Sequence, residues 1–203
     1  MRCIEMKAGV LFVQGAAPEH IQAFNLAFQR MQMTGTARQV RRPKDLEGLD
    51  CLVIPGGEST TISKLLRRFG LFDDVVRMAN DGVPIMGTCA GCVLLSKEGD
   101  DQVARTQTEL LGVMDMQVDR NAFGRQRESF ETPLDIEGLA VPFPAIFIRA
   151  PLIKRVWGGC RPLSYYGENI VMARQDNLLA MSFPPELSHD TRLHEMLISM
   201  AKH

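Results

Sequence analysis

The stretch Pro84-Ile85-Met86-Gly87-Thr88-Cys89-Ala90-Gly91 decides how this chain is read. A short apolar strand runs into a group of small residues, and a helix is expected from about Ala90 to Lys97. This is the pattern of a nucleophile elbow. The chain turns sharply from strand to helix, small residues on both sides let the turn close, and the residue at its tip projects outward. Here that residue is Cys89. The following helix would aim its first N–H groups and its dipole at the sulfur, lowering the thiol pKa and helping to hold a developing oxyanion. Two readings fit the elbow alone: a nucleophilic thiol, or a buried structural cysteine in a turn shaped by glycines. Cys89 and Cys92 also form a C-x-x-C pair, which suits zinc or redox exchange. No second pair completes a zinc site, and Cys92, one turn into the helix, is expected in the core.

Upstream, Ala8 to Val13 is continuously apolar, as in a strand buried on both faces, and ends at Gln14-Gly15. A helix follows with Ile21, Phe24, Leu26, Ala27 and Met31 as its apolar stripe. Thr36 to Val40 and Cys51 to Ile54 read as strands, the latter running into Pro55-Gly56-Gly57-Glu58-Ser59-Thr60. Helical pieces are expected over Thr60 to Arg68 and Val75 to Asn80. Strand alternating with helix implies an α/β fold, doubly wound, with a mainly parallel sheet and helices on both faces. Downstream of the elbow, Leu111 to Val118, Ala145 to Ile148, Lys154 to Trp157, Ile170 to Ala173 and Leu178 to Ser182 look like strands that extend the sheet with antiparallel or mixed pairs. An amphipathic helix from His189 to about Ala201 closes the chain, with Leu193, Met196, Leu197 and Met200 at helical spacing.

The 203 residues suffice for one substantial core, and no linker divides them, so one domain over 1–203 is expected. Net charge is -1, with basic and acidic residues interspersed, which gives no footprint for nucleic acid or an anionic membrane. The cluster Arg41-Arg42-Pro43-Lys44 reads as a solvated loop. Met1 to Lys7 lacks the apolar stretch and cleavage site of a signal peptide, and no run approaches the ~20 apolar residues of a membrane span. A cytoplasmic location is expected. Five cysteines, an odd number in a chain too large to depend on disulfides, fit a reducing compartment.

The Pro55 segment lies at the carboxyl end of its strand, where open α/β sheets bind ligands. Its glycines free backbone N–H groups to face a carbonyl oxygen. Alone, it could equally be a tight turn capped by Ser59 or Thr60.

Read together, the elbow and this loop resemble class I glutamine amidotransferases of the flavodoxin-like type, and further motifs narrow the resemblance to one branch. Val13-Gln14-Gly15 with Glu19-His20, Pro55 to Thr61, Gly87 to Gly91, Asp119-Arg120-Asn121-Ala122-Phe123-Gly124-Arg125-Gln126, Phe147 to Pro151, and Pro185-Glu186-Leu187 with Asp190 and Arg192 are similar to the glutaminase subunit of pyridoxal 5'-phosphate synthase. That family hydrolyses L-glutamine with a Cys-His-Glu triad and passes ammonia to a barrel-shaped synthase subunit in a hetero-oligomer. The resemblance implies Cys89 as nucleophile and Glu186 as the residue that orients the base. It places Gly57, Glu58, Ser59, Arg120, Ile148 and Arg149 at the bound glutamine, and Gly57 and Ala90 at the oxyanion. Guanidinium groups suit a carboxylate because they hold it bidentately; a structural ion pair is the other reading of both arginines. No cofactor and no metal is implied.

One position departs from the pattern. The resemblance implies a histidine base directly before Pro185-Glu186, and the chain has Pro184. Proline has no titratable group, and losing a general base costs about 10²–10⁴ in rate. His20, His189, His194 and His203 offer no obvious substitute in the sequence. His189, nearest to position 184, reads as an exposed helix-start residue. Two outcomes follow: a glutaminase impaired by an altered residue, or a subunit of the same synthase that binds without hydrolysing. A cysteine hydrolase or chaperone-like relative of the same architecture is a third reading, against which the Arg120 motif argues.

Overall fold

The computed structural model describes residues 5–120 and 129–201. In chain order the elements begin with β1 (Met6–Leu11), α1 (Ala17–Arg30), β2 (Gly35–Val40), β3 (Cys51–Ile54), α2 (Ser59–Arg68), α3 (Phe72–Asn80), β4 (Ile85–Thr88) and α4 (Ala90–Leu95). They continue with β5 (Ser96–Gly99), α5 (Asp101–Arg105), β6 (Met114–Asp119), β7 (Phe130–Leu134), β8 (Phe143–Phe147) and β9 (Leu152–Val156). β10 (Arg161–Tyr166), β11 (Asn169–Gln175), β12 (Leu178–Met181) and α6 (Arg192–Met200) complete the set.

Strands with no polar face must be covered on both sides, and β3, β4 and β12 are buried at every position. Their side chains alternate between two apolar clusters. Leu52, Ile54, Ile85, Leu178 and Ala180 face one cluster, with Leu66 of α2, Val75 of α3 and Leu94 of α4. Cys51, Val53, Met86, Leu179 and Met181 face the other, with Phe24 of α1 and Leu193 of α6. The sheet order is β2-β1-β3-β4-β12-β11-β9-β6-β5, with β10 on β11; β7 and β8 form a separate antiparallel pair. Pairing is parallel from β2 through β12 and antiparallel along β12-β11-β9-β6, before β5 pairs parallel with β6. The mainly parallel α/β fold with an antiparallel extension is as the sequence implies. No helix among the described residues is long and apolar enough to cross a membrane.

Several local expectations are corrected. The helix after the elbow ends at Leu95, and Ser96 starts β5. β5, α5, β7 and β10 have no counterpart in the sequence reading. The apolar stripe of α1 is rotated: Leu26 is exposed, and His20 is fully buried beside Phe24 and Ala27. His189 precedes α6 in a left-handed conformation (φ 56°) rather than starting the helix. Residues 121–126 of the arginine motif, Cys3 and His203 lie outside the described residues.

This topology brings the carboxyl ends of β3, β4 and β12 side by side. The loop at 55–58, the turn at Cys89 and the segment 182–187 all leave the sheet along that edge.

Candidate active site

Cys89 links β4 to α4 with φ 48° and ψ −104°, a conformation that L-residues avoid and that stores about 1–3 kcal/mol of strain. The small residues around it are required sterically. A Cβ on Gly91 would lie 2.1 Å from the Ile54 carbonyl oxygen, and one on Gly87 would lie 2.6 Å from the Gly91 backbone. Donation from the Cys89 N–H to the Met181 carbonyl (2.9 Å) ties the turn to β12.

A cavity of about 430 Å³ opens over the turn, lined by Gly57, Glu58, Ser59, Cys89, Ala90, Arg120, Ile148, Arg149 and Pro184, among others. Every candidate residue from the sequence except Glu186 therefore shares one cavity. Gly57 takes φ 149°, in the region that favours glycine. The Glu58 N–H donates to Gln14 Oε1 (3.0 Å), so the Val13-Gln14-Gly15 segment braces this loop. The Glu58 carboxylate caps α2 by accepting from the Thr61 N–H (2.6 Å) and also accepts from Arg120 Nη2 (2.6 Å). Burial works to raise the Glu58 pKa, but hydrogen bonds from Thr61 and Thr60 and the charge of Arg120 outweigh it and hold the carboxyl below its ordinary range. Arg120 Nη1 donates to the Thr60 and Thr106 hydroxyls, both at 3.2 Å. Its guanidinium is thus fixed over the loop. Arg149, also in a left-handed conformation (φ 45°), is exposed beside Ile148, and both line the cavity.

Cys89 is half-buried at the floor of this cavity. Burial pushes the Cys89 pKa well above its ordinary value, and the nearby Glu186 charge pushes it further. Cys89 Sγ donates to the Ser182 carbonyl (3.4 Å). The expected depression by the helix terminus is outweighed, because the six-residue α4 adds only a partial charge while desolvation disfavours the anion. Among the described residues, no imidazole lines this cavity, and Pro184 occupies its wall.

Glu186 faces elsewhere. It sits in a short 3₁₀ turn, Pro185–Leu187, with its side chain 2% exposed and Oε2 lying 3.2 Å from His20 Nε2. His20 Nδ1 lies 2.9 Å from His194 Nε2. Burial pushes the Glu186 carboxyl up to about 7; its own backbone N–H lowers it in part, and the Glu19 charge raises it. Burial holds both imidazoles neutral: His194 falls to about 3, and His20, with His194 beside it, falls well below the ordinary value. Sequence reasoning missed this pair. Position on the apolar face was the available signal, since His20 lies one turn from Phe24 and His194 one turn from Ile198.

The model of the SNO glutamine amidotransferase family matches residues 10–203. The chain belongs to that family. It is 47% identical to the pyridoxal 5'-phosphate synthase subunit PdxT of Archaeoglobus fulgidus, over 97% of this chain and 99% of that one. It is 44% identical to the subunit of the same name from Thermococcus onnurineus, with the same coverage. A crystal structure of a glutamine amidotransferase superposes with a TM-score of 0.84 at 43% identity, covering 95% of this chain and 97% of the other. The branch of the amidotransferases that the motifs indicate is therefore the one to which the chain belongs.

Proposed function

We propose that this chain is the glutaminase subunit of a pyridoxal 5'-phosphate synthase, a single amidotransferase domain over 1–203 whose present sequence lacks the catalytic base. One observation carries the reading: the strained Cys89 shares a cavity with the Gly57 loop, Arg120 and Arg149. In the proposed reaction the glutamine carboxylate is held by Arg120 and Arg149, with Glu58, Ser59 and Ile148 completing the site. Cys89 Sγ attacks the carboxamide carbon, and the oxygen takes up charge toward the Gly57 and Ala90 N–H groups. Ammonia leaves with a proton, and water releases glutamate from the thioester. Ammonia then passes to a barrel-shaped synthase partner. No cofactor or metal is required by these steps.

Both proton transfers need a base beside the sulfur, and the resemblance locates it at 184 with Glu186 orienting it. Pro184 can neither take the thiol proton nor return it. Ammonia release from glutamine, assayed with the synthase subunit present, is expected to be marginal for this chain and about 10²–10⁴ faster for Pro184→His. If Pro184→His releases no more ammonia than the parent, the triad assignment is wrong.

The elevated thiol pKa and the Ser182 hydrogen bond favour one second reading, a subunit that binds glutamine and the synthase without hydrolysis. It requires that no glutamyl adduct appear on Cys89 by intact mass after incubation with glutamine, while the chain still co-purifies with the synthase.

A further inference from the structure

His20 and His194 take no part in the steps above, yet both are fully buried, among apolar side chains that include the Phe24 ring packed edge-on against His194. Buried imidazoles persist when their ring nitrogens are partnered. Three atoms here, His20 Nε2, Glu186 Oε2 and His194 Nδ1, are buried without an aligned hydrogen-bond partner. The first two lie 3.2 Å apart and complement each other, so a small ring rotation joins them. His194 Nδ1 is the atom left over.

That leftover atom decides where the hydrogens are. A neutral imidazole has one N–H and one bare nitrogen. If His194 carried its hydrogen on Nδ1, a donor would be buried with nothing to accept from it, which is costly. With the hydrogen on Nε2, His194 donates to His20 Nδ1 across the 2.9 Å contact. His20 must then carry its own hydrogen on Nε2, pointed at Glu186 Oε2. A carboxyl oxygen accepts it, whether that of the carboxylate or the carbonyl oxygen of the protonated acid. A protonated Glu186 donating to His20 would reverse the chain and strand the N–H on His194.

We infer that His194 and His20 form a one-way hydrogen-bond relay that ends on Glu186 and fixes the orientation of its carboxyl group. Both are positioning residues. They touch neither substrate nor Cys89, and they act by holding the group that orients the base. This role rests on the reading of Glu186 given above; the relay itself does not.

Two measurements test it separately. Nitrogen NMR of the histidine side chains, on the chain as it stands, is expected to show both His20 and His194 protonated at Nε2 and bare at Nδ1. A hydrogen on Nδ1 of either ring overturns the relay. For the role, His20 is varied in the Pro184→His background with the synthase subunit present. His20→Gln keeps an N–H near the Nε2 position and is expected to retain kcat. His20→Asn reaches only the Nδ1 side and is expected to lose about tenfold or more in kcat with KM unchanged. Equal kcat in the two variants, with both folded by circular dichroism, reduces His20 to packing and overturns the positioning role. If Pro184→His itself releases no ammonia, the triad reading and with it the positioning role fall, while the NMR result still decides whether the relay exists.

Discussion

The cavity over Cys89 and the buried cluster of Glu186, His20 and His194 meet at residues 184–186, and they are furnished in opposite ways. The cavity holds the thiol, the Gly57 loop and two arginines, and no imidazole among the described residues. The Glu186 side holds two neutral imidazoles and a carboxyl pushed up to about 7, and no thiol among the described residues. Each half is built independently, the first on the carboxyl ends of β3 and β4, the second between α1 and α6. Only one side chain would join them. Pro184 is compatible with the backbone there (φ −84°), so the fold tolerates proline at this position although the chemistry does not.

Changes on the cavity side should therefore remove most of the chemistry, whereas changes on the imidazole side should lower kcat only about tenfold and alter how stability depends on pH. The largest expected effect is chemical. In the Pro184→His background, Cys89→Ala is expected to lower ammonia release by about 10³ or more while leaving the melting temperature near that of its parent. A comparable loss from His20→Asn alone would erase the distinction between the halves.

Next is the steric frame of the turn. Gly91→Ala forces a methyl against the Ile54 carbonyl oxygen and is expected to cost about 3 kcal/mol or more in urea unfolding.

The imidazole side should show in pH titrations of stability. His194 is lowered to about 3 in the folded chain from an ordinary 6.5, so its contribution is complete above pH 6.5 and is lost as pH falls toward 3. The slope is about 1.4 kcal/mol per pH unit for each such group. Glu186, raised to about 7 from 4.5, has the opposite sign: its contribution is present below pH 4.5 and is lost as pH rises through 7. In urea midpoints, Glu186→Gln should accordingly remove the loss of stability as pH rises from 4.5 through 7, and His194→Phe should remove the loss as pH falls from 6.5 toward 3, most visibly below pH 4.5 where Glu186 no longer opposes it. An unchanged profile in both would mean that the cluster is not buried in solution.

The smallest effect is strain at the elbow. Cys89→Gly relieves a positive φ and is expected to stabilise the fold by about 1 kcal/mol, net of the entropy that glycine adds to the unfolded chain.

The sequence made the first half more legible than the second, for physical reasons. β3 and β4 are buried on both faces, so they appear as unbroken apolar runs, and the elbow is defined by the small residues that its geometry demands. β5 is Ser-Lys-Glu-Gly at the sheet edge, with Lys97 and Glu98 exposed, and has no apolar pattern to find. β10 breaks its alternation at register shifts between Pro162 and Tyr165. Glu186 could be placed at the site from its motif, but its partner His20 and the His194 that contacts His20 are 174 residues apart, on different helices. Proximity of that kind is set by the packing of α1 on α6, and it leaves no local periodicity. The expected lowering of the Cys89 pKa is reversed for a related reason: the helix behind Cys89 is visible in the sequence, and the desolvation that outweighs it is a property of the fold.

The most direct test is the pH dependence of Cys89 alkylation by iodoacetamide, read site by site by mass spectrometry, in the parent chain and in Pro184→His. If Cys89 is a nucleophile deprived of its base, the parent should react only as pH rises well above the ordinary thiol range, and Pro184→His should bring reactivity down to near neutral pH. Superimposable profiles in the two chains would contradict that account.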